Sequence, residues 1–265
     1  MAFAKNFLMP LVLVALASPV IADEEDFSTQ LMRATVKISH DKSTGTGFVL
    51  SAADGKKLVL VTAAHVLELT PGDETTVVFR RQESEGVYKK EPTKLVIRKE
   101  GKPTWTKHPT EDVAAIPIMP PENADLPKIP LARLASDELL KTHKVHPGEN
   151  LCCLGFPHRN EASDAGFPLL RRGALATFPL LPTAKTKTFT LSANTFEGDS
   201  GGPVFVTNDR DNQEDTQLIL GLVVGQWFLD EEAKMIYGTT KVRHRLGLAI
   251  VVHASFIQET IDRLP

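Results

Sequence analysis

The sequence predicts an all-β chain built as two six-stranded antiparallel β-barrels with a helix at the C-terminus. Three observations carry this. Apolar residues are 42% of the 265 and charged residues 24%, which supplies a large core and is too apolar for disorder. Twelve short runs rich in Val, Ile, Thr and Phe recur from residue 33 onward, many of them bounded by turn residues. A proline-rich passage divides these runs into two sets of six.

The chain opens on a segment with the pattern of an export leader. Lys5 supplies a basic start, and the apolar run from Phe7 to Ala17 is broken by Ser18 and Pro19. Val20-Ile21-Ala22 then places small or moderate side chains at a cleavage site, followed by acidic Asp23-Glu24-Glu25-Asp26. Residues 1–22 are therefore expected to be a signal peptide rather than a membrane anchor, because the run is shorter than a bilayer span. The remainder is expected to be periplasmic or secreted, with no integral membrane segment.

The first barrel is assigned to residues 23–120. Its strands are read at Arg33–Ser39, Gly45–Ser51, Lys57–Thr62, Thr75–Arg80, Lys94–Lys99 and Asp112–Ile118. Six of the 18 prolines then fall between Pro117 and Pro147, and proline cannot donate into a ladder, so 121–147 reads as the inter-barrel linker. Residues 148–265 hold the second barrel. Its strands are read at Asn150–Gly155, Gly173–Phe178, Lys187–Ala193, Pro203–Val206, Gln217–Gly225 and Gly247–Val252. Only Ala254–Leu264 has helical spacing, with Phe256, Ile257, Ile261 and Leu264 on one side. The acidic Asp230-Glu231-Glu232 reads as a hairpin tip near the cleft, and the alternating Lys241, Arg243 and Arg245 as a solvated hairpin face.

Several function classes fall away. A formal charge of −3 gives no electrostatic case for nucleic acid. Cys152 and Cys153 are the two cysteines and are adjacent, so they form neither a disulfide framework nor a four-cysteine zinc site, and they read as small core hydrophobes. His143 and His146 have no carboxylate or thiol cluster beside them. No metal and no cofactor is expected.

The segment that carries chemistry is Gly198-Asp199-Ser200-Gly201-Gly202-Pro203. Six such identities arise by chance on the order of 10⁻⁷ per position. The glycines build a tight turn that lifts one hydroxyl clear and lets backbone N–H groups converge beside it. Thr62-Ala63-Ala64-His65 ends an apolar strand on an imidazole, the group able to take a proton near neutral pH. Asp112 begins the apolar run Val113-Ala114-Ala115-Ile116 and could orient a histidine from a strand edge. Each feature alone is also compatible with a surface turn or a structural histidine. Their order, His then Asp then Ser, is that of the chymotrypsin arrangement.

The chain thus resembles the trypsin-like (chymotrypsin-fold) serine peptidases over about residues 30–255, and is most similar to the bacterial Deg-type peptidase domains. Gly45-Thr46-Gly47-Phe48-Val49, Thr62-Ala63-Ala64-His65, Asp112-Val113-Ala114, Leu154-Gly155-Phe156-Pro157 and Leu246-Gly247-Leu248-Ala249-Ile250 carry the likeness. Two features depart from it. No PDZ domain is expected after the last strand. The expected mature end, Asp23-Glu24, is unlike the Ile-Val-Gly-Gly that animal zymogens expose, so insertion of a new N-terminus beside Asp199 is not expected.

The resemblance implies a serine endopeptidase acting on protein or peptide substrates through an acyl-enzyme. It assigns Ser200 as nucleophile, His65 as general base and acid, and Asp112 as the orienting carboxylate, with the N–H groups of Gly198 and Ser200 as oxyanion hole. It also places the primary specificity pocket. Asn194 is its floor, Thr195, Phe196, Glu197, Val223, Val224 and Gly225 its walls, and Gly247 lies near the back. A neutral floor implies preference for uncharged, small to medium side chains. An idle binding module on the same fold, or an ester hydrolase with the same triad, stands as the alternative.

Overall fold

The computed structural model describes residues 26–41, 43–52, 57–206, 216–235 and 238–265. The leader expected over residues 1–22 lies outside them. Strand dominates, as the short runs rich in Val, Ile, Thr and Phe predict.

The described chain opens with a helix that the strand pattern did not anticipate, α1 (Phe27–Ala34). The Asp26 carboxylate accepts a hydrogen bond from Thr29 N at 3.0 Å and caps it, and Phe27, Leu31 and Ala34 bury one face. Eight residues are too few to stand out as a helical period. β1 (Thr35–His40), β2 (Ser43–Ser51) and β3 (Leu58–Thr62) follow, then the short helix α2 (Ala64–Glu68). β4 (Glu74–Ser84) and β5 (Val87–Val96) form a long hairpin. β6 (Arg98–Lys99), β7 (Lys102–Pro103), β8 (Thr106–Lys107) and β9 (Ala114–Ile118) complete the N-terminal unit.

Its main sheet has seven antiparallel strands in the order β5-β4-β1-β2-β3-β9-β8, one more than expected. β5 was legible only at its end, because Val87–Lys94 carries charges at four of its eight positions and lies largely exposed. The sheet surrounds a core of Val36, Ile38, Val49, Leu60, Phe79 and Ile116. Each such side chain contributes about 1.5–3 kcal/mol by burial.

The proline-rich passage is not bare linker: it contains α3 (Asp137–Thr142), capped by Ser136 Oγ, which accepts from Leu139 N at 3.2 Å. β10 (Asn150–Gly155), β11 (Leu169–Leu175), the turn of helix α4 (Thr183–Thr186), β12 (Thr188–Ser192), β13 (Pro203–Val206), β14 (Leu218–Met235) and β15 (Gly238–His253) follow, and α5 (Ala254–Ile261) closes the chain where a helix was expected. Strands β10-β11-β12-β15-β14-β13 close into a six-stranded barrel. Buried residues of both halves then join in one cluster, among them Phe48, Val61 and Val113 with Leu154, Phe205 and Leu222. α1 takes part through Phe27, whose ring meets Phe205 edge-on at 5.9 Å.

A second tie crosses between the halves. The loop from β10 to β11 carries Glu161, which is ion-paired to Lys37 of β1 and Lys90 of β5. Arg80, 1% exposed, donates to Gly166 O in that loop and to Arg33 O and Thr35 O at the end of α1. Burial pushes its guanidinium down to about 10. Those three carbonyls partner its two terminal nitrogens, while Nε is buried without a partner.

The acidic stretch at Asp230–Glu232 is not a hairpin tip. β14 and β15 run on past the barrel as a two-stranded arm whose outermost described pair is Met235 with Gly238. The acids sit midway, paired across the strands: Asp230 with Arg243, Glu231 with His244, Glu232 with Lys241. Ladder register therefore explains both charge runs. Cys152 and Cys153 lie buried in β10 as free thiols, and burial pushes Cys153 up to about 12.

Candidate active site

His65 is delivered by the step from β3 into α2. Its ring Nδ1 lies 2.6 Å from Asp112 Oδ2, and its backbone N–H donates to Asp112 Oδ1 at 2.9 Å. A carboxylate only accepts, so Nδ1 carries the proton and Nε2 is left as acceptor. Burial alone would raise the Asp112 carboxyl. Hydrogen bonds from the His65 ring and from the N–H groups of His65 and Ala64 outweigh it and hold Asp112 below the usual carboxylate range.

The turn that presents Asp112 is built by His108. Its Nδ1 accepts from Thr110 N at 3.3 Å and Glu111 N at 3.0 Å, which leaves Nε2–H to donate to Glu259 on α5 at 3.1 Å. Lys187 of the second barrel donates to Glu111 Oε1 at 2.7 Å. Both halves therefore fix the place of Asp112.

Ser200 arrives from the opposite side on the turn between β12 and β13. The first unit grips this turn directly. Thr46 N donates to Ser200 O at 2.8 Å, Thr46 Oγ1 to Gly198 O at 2.7 Å, and Thr62 Oγ1 to Thr46 O at 2.6 Å. Gly201 has φ +89, and a Cβ there would stand 2.0 Å from Thr46 O, so no other residue fits. Glu197 O accepts from His158 N at 2.7 Å, which points the N–H of the same trans peptide, that of Gly198, the other way. Among the described residues the N–H groups of Gly198 and Ser200 donate to nothing in the fold. His65, Gly198, Glu197 and Ser200 line one cavity of about 180 Å³ with Thr44, Val66 and Leu69. No hydrogen bond joins Ser200 to His65 within it.

Asp199, between the two free N–H groups, is fully buried. Arg171 of β11 meets it with two bonds, Nη1 to Oδ2 at 2.5 Å and Nη2 to Oδ1 at 2.6 Å. Phe196 N donates to the same carboxylate at 2.7 Å, and Arg171 Nη1 reaches Asn194 O at 3.2 Å. One cation thus organises the whole segment from Asn194 to Ser200. Arg171 escaped the sequence reading. The available signals were an acid inside a glycine turn and an arginine in register with Leu169 and Gly173 on β11.

The residues assigned to specificity sit on the other flank. Asn194 is exposed, with Oδ1 3.2 Å from where a Cβ on Gly247 would stand, so these two are brought together. Thr195 is buried, while Val224 and Gly225 are half-buried on β14. Of the assigned pocket only Glu197, which is exposed, lines the His65–Ser200 cavity. Among the described residues no group of three or more His, Cys, Asp or Glu side chains is placed to hold a metal, and no helix is long and apolar enough to cross a membrane.

Comparison with known proteins bears on this geometry. Among solved structures the chain is similar to an inactive form of Rv3671c from M. tuberculosis H37Rv, with TM-score 0.50 and 19% identity over 96% of this chain and 97% of that one. It is similar also to the protease Anisep from Arthrobacter nicotinovorans, with TM-score 0.51 and 14% identity over 89% and 96%. Human heparin binding protein shares the fold too, with TM-score 0.52 and 12% identity over 87% and 90%. No curated protein matches. The trypsin-like peptidase domain family matches residues 45–212, well over half of the chain and inclusive of His65, Asp112 and Ser200. The mostly β double-unit fold, the gripped serine turn and this match have one reading: the chain belongs to the trypsin-like peptidase domain family.

Proposed function

We propose that the protein is a serine endopeptidase. Ser200 Oγ attacks the scissile carbonyl as its proton passes to His65 Nε2, with Asp112 holding the ring and offsetting the imidazolium charge. The N–H groups of Gly198 and Ser200 receive the oxyanion. His65 returns the proton to the leaving amine, and water repeats the sequence on the acyl-enzyme. The observation that carries this reading is the pair of unspent N–H groups, of Gly198 and of Ser200 itself, beside a cavity that these residues line with an Asp-held imidazole. An idle binding module has no use for donors left open in that position.

The expected substrates are proteins or peptides cleaved after uncharged residues. A basic side chain removed from water calls for a carboxylate partner, and the buried one of this segment, Asp199, is already committed to Arg171. Export through the leader at 1–22 and the Deg-type likeness of the motifs belong to the same proposal. A fluorophosphonate probe tests it: the wild-type chain is labelled at Ser200 and cleaves peptides, and Ser200→Ala does neither while keeping its circular dichroism. Labelling retained by Ser200→Ala would end the assignment.

A further inference from the structure

The aspartate of the proposed triad is held less directly than the serine. Among the described residues, the hydrogen bonds to its carboxylate come from the N–H groups of Ala64 and His65 and from the His65 ring, all within the first unit. None reaches it from the second barrel. Ser200 stands on that barrel, so the alignment of Asp112 with the serine turn depends on how the two units are joined beside Asp112. The join is made at the turn of residues 108–113, which follows the strand pair Lys107–Ala114. His108 N donates to Val113 O at 3.0 Å and closes this turn. The residues inside it belong to no regular element, and their buried N–H groups need partners of another kind.

His108 supplies them with one ring. The side chain is 4% exposed and folds back so that Nδ1 accepts from Thr110 N and Glu111 N, the two residues that lead into Asp112. A neutral imidazole carries an acceptor on one nitrogen and a donor on the other. Its Nε2–H therefore reaches Glu259 on α5, 151 positions along the chain, at 3.1 Å. The ring also stands edge-on to Phe256 of the same helix, with 5.2 Å between centres and 74° between planes. α5 is seated on both β9 and β14, so it carries this anchor across from the second unit. A ring kept only to fill space against Phe256 would need neither nitrogen. Here both are spent, one on the turn before Asp112 and one on the other unit.

We propose that His108 is a positioning residue of the triad, latched to α5 by Glu259, and that its Nδ1 lone pair sets the place of the Asp112 carboxylate. The proposal rests on the peptidase reading and names the residues that hold its carboxylate. His108 does not line the His65–Ser200 cavity, so it acts through Asp112. Without the acceptor on Nδ1, the N–H groups of Thr110 and Glu111 turn to other partners and Asp112 moves with them. The bond from His65 Nδ1 to Asp112, 2.6 Å here, then lengthens. Misplacing a catalytic group by about 1 Å can cost about a hundredfold in rate. The loss falls on the chemical step rather than on binding, because Asp112 answers a charge that develops on His65 only in the transition state.

The test separates the acceptor from the ring. His108→Phe keeps the packing on Phe256 and removes both nitrogens, whereas His108→Asn gives up the ring but places an amide oxygen where Nδ1 stands. Glu259, 51% exposed, supplies a second pair that leaves the core alone: Glu259→Gln keeps an acceptor and Glu259→Ala does not. Each variant is assayed well below its own unfolding midpoint. His108→Phe should lower kcat by at least about tenfold with KM within about twofold of wild type, and His108→Asn should recover most of that loss. Glu259→Ala should lose about threefold in kcat, and Glu259→Gln should keep the wild-type value. The proton on His65 Nδ1 gives a readout that needs no turnover. Its downfield NMR resonance should broaden or vanish in His108→Phe and Glu259→Ala and persist in His108→Asn and Glu259→Gln. Wild-type kcat in folded His108→Phe, a loss carried by KM, equal losses in His108→Phe and His108→Asn, or an unaltered resonance in His108→Phe overturns the proposal. Should His108→Phe fail to fold, the Glu259 pair decides by the same two readouts, a difference supporting the proposal and identity overturning it. If the wild type cleaves no peptide yet the resonance follows the variants as stated, the positioning role stands and the peptidase reading falls. If peptides are cleaved and neither kcat nor the resonance follows the variants, the reverse holds.

Discussion

Removal of the guanidinium by Arg171→Met is the most demanding test of how the serine turn is held. The substitution keeps most of the side chain's apolar volume and deletes both bonds to Asp199, whose side chain has no solvent access. What remains is a buried carboxylate held by Phe196 N alone. Breaking a buried pair by removing one partner costs about 3–5 kcal/mol, because the survivor keeps its desolvation penalty. In a chain of this size that lowers Tm by roughly 10 °C, at about 2–4 °C per kcal/mol. Urea unfolding with an unchanged m-value measures it directly. Function should fall further than stability, since the turn carrying Gly198 and Ser200 loses its anchor. Fluorophosphonate labelling measured well below the new midpoint should be slowed by at least tenfold, and guanidinium ion at sub-denaturing concentration should restore part of it. Adding Asp199→Leu to Arg171→Met should recover stability, because no charge is then buried, but not labelling. A loss under about 1 kcal/mol with normal labelling would refute the reasoning.

Three further outcomes are expected. Gly155→Ala places a methyl 2.4 Å from Asp199 Oδ1 and 3.1 Å from Arg171 Nη2, so it should mimic Arg171→Met in both unfolding and labelling although it removes no charge. His253 is buried, and that burial pushes its imidazole down to about 4 from the ordinary 6.5. The folded state is therefore at full strength above pH 6.5 and loses about 3 kcal/mol as pH falls toward 4, because the unfolded chain binds the proton first; His253→Gln should flatten urea midpoints across that window. On matched peptides, Ala, Val or Leu before the cleaved bond should exceed Lys or Arg by at least tenfold in kcat/KM, about 1.4 kcal/mol, and better cleavage after Arg would mean that Glu197 reaches into the pocket.

The chemistry of the proposed site was legible because it is local. Gly198–Pro203 specifies its own turn through glycine stereochemistry, and Thr62–His65 ends a strand whose continuous apolar run shows in the sequence. The second-barrel strands at Asn150–Gly155 and Pro203–Val206 show as short continuous apolar runs, and the helix from Ala254 by apolar residues at helical spacing. The missed elements lack that signal. α1 is only eight residues long, too short for its buried stripe to stand out, and β5 is half-exposed and charged.

The charge runs show the boundary most clearly. Asp230–Glu232 and Lys241–Arg245 were each visible as a composition, but neither sequence run says that the two face one another along an arm. That depends on the register of β14 against β15. Arg171 and Asp199 stand 28 residues apart and meet only because β10 and β11 close the barrel behind the serine turn. Thr46 holds Ser200 from 154 positions away in the same manner. The sequence by itself determined which groups could do chemistry and the family to which they point, since those features are set by neighbours along the chain. The tertiary structure alone decided which cation neutralises Asp199 and which N–H groups stay free, because desolvation and pairing depend on distances in space.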